Sequence, residues 1–272
     1  VYRSLNNGDQ WSYVNYGINT QVLRGLYVHN NAIWVASYKG PIRSIDNGNS
    51  WTLLGNGLNG PISNIEAYTH TDSFLLTGTT FGIHKFDSIN ATWIDRTNNL
   101  NSNNVSVLYT SDSTIYTSNL NGFSYSTDFG NKWKNIHPEG ILLLKWGDSL
   151  FASAYNKFIF STNGGQSWVD KPTNVINSGI REMYSLKGRI YISTGDGVYF
   201  SDNFGNQWTL MTNGLPKVPI SAFNINDKIF AAGTNEGIYI SIDYGQTWVK
   251  KSDLFNTSQE RIFKVFITSL LL

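Results

Sequence analysis

The side chains able to do chemistry are few and scattered along the chain. There are 19 acidic residues, seven arginines, four histidines and no cysteine. Glycoside hydrolysis needs two carboxylates about 5–9.5 Å apart across a sugar site. Outside turn motifs the carboxylates are Glu66, Asp95, Glu139, Asp170, Glu182, Asp196, Glu236 and Asp253, and none forms a recognisable pair in sequence. His29 and His70 fall at matching points of neighbouring segments and could share a metal, yet no third ligand accompanies them. They read as solvated turn residues; His84 and His137 add no pattern. No phosphate-cradling glycine loop, serine elbow or dinucleotide fingerprint is present. The expectation is therefore no catalytic residue, no metal and no cofactor. One polar cluster stands out. Arg24 in "LRGL", Glu66 in "IEAY" and Arg181 in "IREM" occupy the same place in an apolar-x-x-apolar pattern. With Glu182 and Lys264 they make the strongest candidate for a ligand site. The competing and favoured reading is a row of mutually satisfied ion pairs. Tyr16, Tyr38, Phe81 and Tyr155 lie in connections, where aromatic rings hold sugars or peptides, or cap a core.

The elements that position these residues follow from a repeat. The octapeptides are "SLNNGDQW" at 4–11, "SIDNGNSW" at 44–51, "STDFGNKW" at 126–133, "STNGGQSW" at 161–168, "SDNFGNQW" at 201–208 and "SIDYGQTW" at 241–248. A worn copy, "FDSINATW", sits at 86–93. The tryptophans Trp11, Trp51, Trp93, Trp133, Trp168, Trp208 and Trp248 are 40, 42, 40, 35, 40 and 40 residues apart. Each copy is preceded by three short runs rich in Val, Ile, Tyr and Phe, and a fourth starts at the tryptophan. Four strands per repeat predict one blade of a β-propeller each, hence an all-β, seven-bladed fold of four antiparallel strands per blade.

The octapeptide bridges the third and fourth strands. Its Ser (Ser4, Ser44, Ser126, Ser161, Ser201, Ser241) offers a side-chain-to-backbone bond. Its Asp or Asn (Asn6, Asp46, Asp128, Asn163, Asn203, Asp243) should bond the backbone N–H two residues on. Its Gly (Gly8, Gly48, Gly130, Gly165, Gly205, Gly245) takes a positive φ, and its Trp is an apolar plug. These acids are architecture, not catalysis. The worn copy has lost Ser, Asp and Gly, so Trp93 is expected to be held less firmly than Trp208.

These residues resemble the Asp-box, or BNR, repeat, S-x-D-x-G-x-x-W, over nearly the whole chain. Propellers with that box include sialidases, xyloglucanase-type glycoside hydrolases, the sortilin receptor and photosystem II assembly factors, and the spacing is most similar to the last. In sialidases the boxes lie opposite the active site, which agrees with a structural role. A sialidase also implies an arginine triad, a Tyr with a Glu partner, an acidic Asp and a Phe/Tyr-Arg-Ile-Pro stretch. That stretch is missing; "PIRS" at 41–44 only leads into a box.

The formal charge of +1 gives no reason to expect nucleic acid or an anionic membrane surface. No apolar run reaches the length of a spanning helix. The chain enters on a third strand at Ser4, while "RIFKVFI" and "TSLLL" near residue 272 read as a first and second strand. One blade shared by 1–16 and 258–272 would close the propeller as a single domain over 1–272; a fragment of a longer array is the competing reading. "NAT", "NVS" and "NTS" are glycosylation triplets expected by chance in so Asn-rich a chain. The resulting expectation is a non-catalytic, monomeric binding or scaffold module. It takes a protein or glycan partner on the face opposite the boxes and is extracytoplasmic or secreted. The alternative is a carbohydrate-active propeller, a hydrolase or a lectin.

Overall fold

A computed structural model describes residues 1–6, 8–19, 23–37, 39–60, 65–71, 74–111, 113–119, 121–137, 142–154, 157–171 and 179–252. The fold is all-β and of the β-propeller class, with no helix among the described residues. Each repeat is one antiparallel four-stranded sheet in sequential order. The first comprises Leu23–His29, Ala32–Ser37, Gly40–Ser44 and Thr52–Leu53. The second comprises Ile65–Thr71, Phe74–Thr79, Gly82–Asp87 and Thr92–Asp95. The third comprises Val105–Ser111, Thr114–Asn119, Gly122–Ser126 and Lys134–His137. The fourth comprises Leu142–Trp146, Ser149–Ala154, Lys157–Ser161 and Val169–Lys171. The fifth comprises Ile180–Leu186, Arg189–Thr194, Gly197–Ser201 and Thr209–Leu210. The sixth comprises Ile220–Ile225, Phe230–Thr234, Gly237–Ser241 and Val249–Ser252. Tyr2–Arg3 and Ser12–Tyr13 form a separate two-stranded pair. Six complete four-stranded sheets are thus present among the described residues.

The second and third strands of each sheet are buried on both faces, so they read as near-continuous apolar runs. The fourth strands are short and largely exposed. In five sheets the third strand ends on the serine of its octapeptide, where turn bonding takes over from the ladder.

The chain falls into two compact units, one of Asn15–Tyr155 and Ile159–Val169, the other of Val1–Val14, Asn156–Phe158 and Asp170–Leu272. Three apolar cores of the first unit fall among the described residues. Trp34, Leu75, Phe86 and Trp93 centre one, Leu76, Ile83, Val105 and Trp133 the next, and Tyr116, Phe123, Leu150 and Ile159 the third. In the other unit Tyr191, Phe223, Phe230 and Trp248 centre the main core. There Trp11 packs against Ala222, Ala231 and Ile238, seating the N-terminal octapeptide on the sixth sheet. Each core gathers residues from two successive sheets, so the octapeptide tryptophans seal the seams between them.

Three expectations are corrected. Trp93 of the worn copy is 2 % exposed, stacks edge-on to Trp34 at 5.8 Å, and donates from Nε1 to the Leu54 carbonyl at 2.8 Å. Its ring is held by the preceding sheet, so losing the turn does not loosen it. His29 closes its first strand and His70 lies within its own, one residue before the end, so neither is a turn residue, and His29 is buried. The octapeptide Asp or Asn bonds the N–H four residues on, not two, because the intervening N–H of the Gly is taken by the Ser hydroxyl.

Candidate functional site

The octapeptide turn is the same object six times over. In the first sheet Ser44 Oγ donates to Asp46 Oδ1 at 2.8 Å and accepts from Gly48 N at 2.7 Å, while Asp46 Oδ1 accepts from Ser50 N at 2.8 Å. The same three bonds recur with Asp128 and Asp243, and with Asn6, Asn163 and Asn203. An amide oxygen does what a carboxylate oxygen does here. The negative charge is not needed for the turn, and the acid bonds hydroxyl and backbone groups of its own octapeptide.

The apolar-x-x-apolar pattern has a physical cause. Strand register slips between Leu23 and Gly25, Ile65 and Ala67, Val105 and Val107, Ile180 and Glu182, and Ile220 and Ala222. Each slip is a β-bulge, and the unpaired residues are Arg24, Glu66, Ser106, Arg181 and Ser221. A bulge re-aims one side chain and recurs beside binding sites. Arg181 Nη1 donates to the Ile220 carbonyl at 2.8 Å, and Glu182 Oε2 accepts from Phe223 N and from Ser193 Oγ. Both charged groups therefore stitch the fifth sheet to the first strand of the sixth. The side chains of Arg24 and Glu66, and Tyr38, Tyr155 and Lys264 as a whole, lie outside the described residues.

A second set of stitches was missed by sequence reasoning. Tyr184 Oη donates to the Phe223 carbonyl at 2.9 Å, and Tyr109 Oη to the Lys145 carbonyl at 3.3 Å. Burial pushes the Tyr184 phenol far above its ordinary value, with nearby Glu182 adding to the effect, so it stays a neutral donor. The signal was available: Tyr27, Tyr109 and Tyr184 occupy one position of the first-strand repeat, three residues after the bulged residue.

Four further carboxylates among the described residues are also committed locally, while Glu139 and Asp253 lie outside the described residues. Asp170 pairs with Lys157 at 2.9 Å in the open. Asp196 accepts from Thr194 Oγ1 at 2.7 Å and from Tyr199 Oη at 3.2 Å. Glu236 accepts from Tyr239 Oη at 3.5 Å. These Tyr–acid pairs sit in Thr-x-acid-Gly-x-Tyr turns, 194–199 and 234–239. They do not make a nucleophile of Tyr199: burial first, and then Asp196, raise its phenol above the usual value. Asp95 accepts from Asn59 Nδ2 at 2.8 Å and from Thr97, and its cross-strand neighbour is His84. Partial burial pushes the Asp95 carboxyl up, but the Thr97 and Asn59 bonds and nearby His84 outweigh this and hold it below the usual range. Burial pushes His84 below its ordinary value against the pull of Asp95, and its Nε2 accepts from Asn59 N at 3.3 Å. This ring is a neutral acceptor in the fold. No group of three or more His, Asp or Glu side chains that could hold a metal occurs among the described residues. No described helix is long and apolar enough to cross a membrane.

Exposed aromatic side chains remain. Tyr16 is 82 % exposed and Phe81 39 %. Both lie in connections at the strand ends opposite the octapeptides.

No known protein family matches the chain, and no curated protein matches it. Solved structures do. The extracellular domain of a B. thetaiotaomicron protein described as a one-component system is 14% identical with a TM-score of 0.74, over 93% of this chain and 37% of that one. The chain thus spans little more than a third of that neighbour. YCF48 bound to a D1 peptide is 13% identical with a TM-score of 0.71, over 93% of this chain and 87% of the other. A computationally designed protein, Ika8, is 13% identical with a TM-score of 0.65, over 90% of this chain and 78% of its own. At these identities the likeness is one of fold.

Proposed function

We propose that the chain is a seven-bladed propeller of the Asp-box type that serves as a binding module for a protein partner and has no catalysis of its own. The observation that carries this reading is how its side chains are used. The described groups with candidate chemistry, Arg181, Glu182, Asp95, Asp170, Asp196 and Glu236, each bond backbone or neighbours within the fold. Tyr16, in contrast, stands in solvent on a connection, and Phe81 is partly exposed on another with its ring over Gly60. Rigid sheets that present many loops suit recognition. A neighbour of the same fold, YCF48, is seen with a peptide bound, and another is an extracellular domain, which supports an extracytoplasmic setting for this chain. Residues 1–16 and 258–272 share the seventh blade in this reading.

The test is selection of a displayed random-peptide library on the intact chain, beside a glycan array. Peptides that bind as synthetic molecules, and that weaken on Tyr16→Ala or Phe81→Ser, are the expected result. Glycan binding without peptide binding, or turnover of a fluorogenic glycoside, would replace this reading with the carbohydrate-active one.

A further inference from the structure

The fourth residue of the octapeptide adopts a left-handed backbone whatever its type. Its φ is 59° at Asn47, 61° at Phe129, 66° at Gly164, 58° at Phe204 and 61° at Tyr244. Bulky aromatic residues rarely take this conformation, yet three octapeptides place one there. The rings are used. Phe129 packs edge-on to Phe74 of the preceding sheet, with centroids 5.5 Å apart. Tyr244 packs on Phe230 at 6.1 Å and lies beneath the Lys187 ammonium, 4.1 Å from its centroid. An aromatic ring at this position thus covers the octapeptide end of a seam, and in one case a lysine sits over it.

The octapeptide of the fourth sheet has Gly164 at that position, and a Cβ built there meets nothing within 4 Å. The space the ring would fill is open. It is a groove of about 340 Å³ lined by Tyr116, Tyr125, Lys134 and Ile136 of the third sheet and by Asn163 and Gln166 of the octapeptide. A row of side chains in register runs across the third sheet into it: Tyr109, Tyr116, Tyr125 and Lys134. Successive rings are 6.4 and 6.2 Å apart, and Lys134 Nζ is 5.9 Å from the Tyr125 centroid. The volume is at the small end of ligand pockets, about 300–1,000 Å³, and suits one ring with its flanking backbone.

We infer that this groove receives an aromatic side chain, Phe or Tyr, from a partner polypeptide, which completes the seam as Phe129 and Tyr244 do from within the chain. This deepens the protein-binding reading and rests on it. The side-chain amide of Gln166 matches a peptide backbone beside the ring, while that of Asn163 is bonded within its own turn, and Lys134 supplies the cation that Lys187 supplies to Tyr244. The groove lies at the octapeptide end of the sheets, so it is a second contact for a polypeptide, apart from the one at Tyr16 and Phe81.

The probe is p-cresol, the side chain of tyrosine, titrated into the isotope-labelled chain while amide resonances are followed. Shifts at Gly164, Gly165 and Lys134 are expected. Gly164→Phe fills the groove from within and abolishes them. This variant folds, because Phe129 and Phe204 already occupy the same φ, and its melting curve checks that. Lys134→Ala weakens binding about threefold, the size of an exposed cation–π contact. Methyl glucoside is titrated in parallel. No shift with p-cresol, equal shifts in Gly164→Phe, or stronger shifts with the glucoside would each overturn the inference. Library-selected peptides separate the two levels. Peptides that weaken on Tyr16→Ala or Phe81→Ser report the opposite end; a selection that yields no peptide weakened by Gly164→Phe sinks the groove and leaves the protein-binding reading standing. Absence of any peptide binder sinks that reading, whatever p-cresol does.

Discussion

At the scale of single residues, the octapeptide shows that a carboxylate in a repeated motif can be a turn device. Ser50's hydroxyl, then its N–H, then Ser44's hydroxyl hold the Asp46 carboxyl down to about 2 from an ordinary 3.8. The Lys132 N–H is the main cause lowering Asp128, and the Thr247 hydroxyl the main cause lowering Asp243. A folded-state value below the unfolded one stabilises the fold above the unfolded value, and the contribution is lost as pH falls through the folded value. Wild type should therefore lose stability between about pH 4 and pH 2. Replacing Asp46, Asp128 and Asp243 by Asn should flatten that loss and leave neutral-pH stability nearly unchanged, since Asn6, Asn163 and Asn203 already make the same bonds. Asp87 and Asp95 are also held low and keep part of the acid sensitivity. Thermal melts from pH 7 to pH 2 read both effects, and an unchanged acid limb would mean these carboxylates are not what the turn depends on. This turn was legible in the sequence because every partner lies within four residues. Glu182 was not: its N–H partner, Phe223, is 41 residues away on another sheet, and no local pattern announces such a bond.

At the scale of elements, what matters is the seam between successive sheets. The strands were readable from alternating apolar runs and turn residues, and the bulges from the apolar-x-x-apolar pattern once its register is known. Which sheet holds a given tryptophan was not readable, because the turn sequence says nothing of the surface the ring meets. Trp93 shows the consequence. Its own turn is worn, yet the ring lies against Trp34 and Phe86 and donates to the first sheet. Trp208 has an intact turn and meets Phe158 edge-on at 5.4 Å. Loss of a buried large aromatic costs about 3–5 kcal/mol. Trp93→Ala should therefore destabilise at least as much as Trp208→Ala in denaturant titrations. A clearly smaller loss for Trp93 would mean that the turn, and not the neighbouring sheet, anchors these rings.

At the scale of the whole molecule, the N-terminal octapeptide stands to the sixth sheet as other octapeptides stand to the sheet before them. Lys171, three residues after Trp168, reaches Asn206 of the next octapeptide at 2.7 Å. Lys251, three residues after Trp248, likewise pairs with Asp9 at 2.7 Å, and its side chain lies over Gly8. The seam after the sixth sheet is thus built like its predecessors, with the N-terminal turn as the next octapeptide. Tyr2–Arg3 and Ser12–Tyr13 are in the places of a third and a fourth strand and pair with each other. A first and a second strand are needed to bury the inner edge. The stretches "RIFKVFI" at 261–267 and "TSLLL" at 268–272 have the composition for both, though they lie outside the described residues. An unpaired edge beside so many Ile, Phe and Leu side chains invites association. Deleting 261–272 should therefore lower the melting temperature and cause aggregation, seen by light scattering. A permutant joining Leu272 to Val1 through a short Gly-rich loop, and reopened between the third and fourth sheets, should fold cooperatively. A deletion variant that stays monomeric and melts as wild type does would show that these residues are no part of a seventh blade, and the chain would then be read as a segment of a longer array.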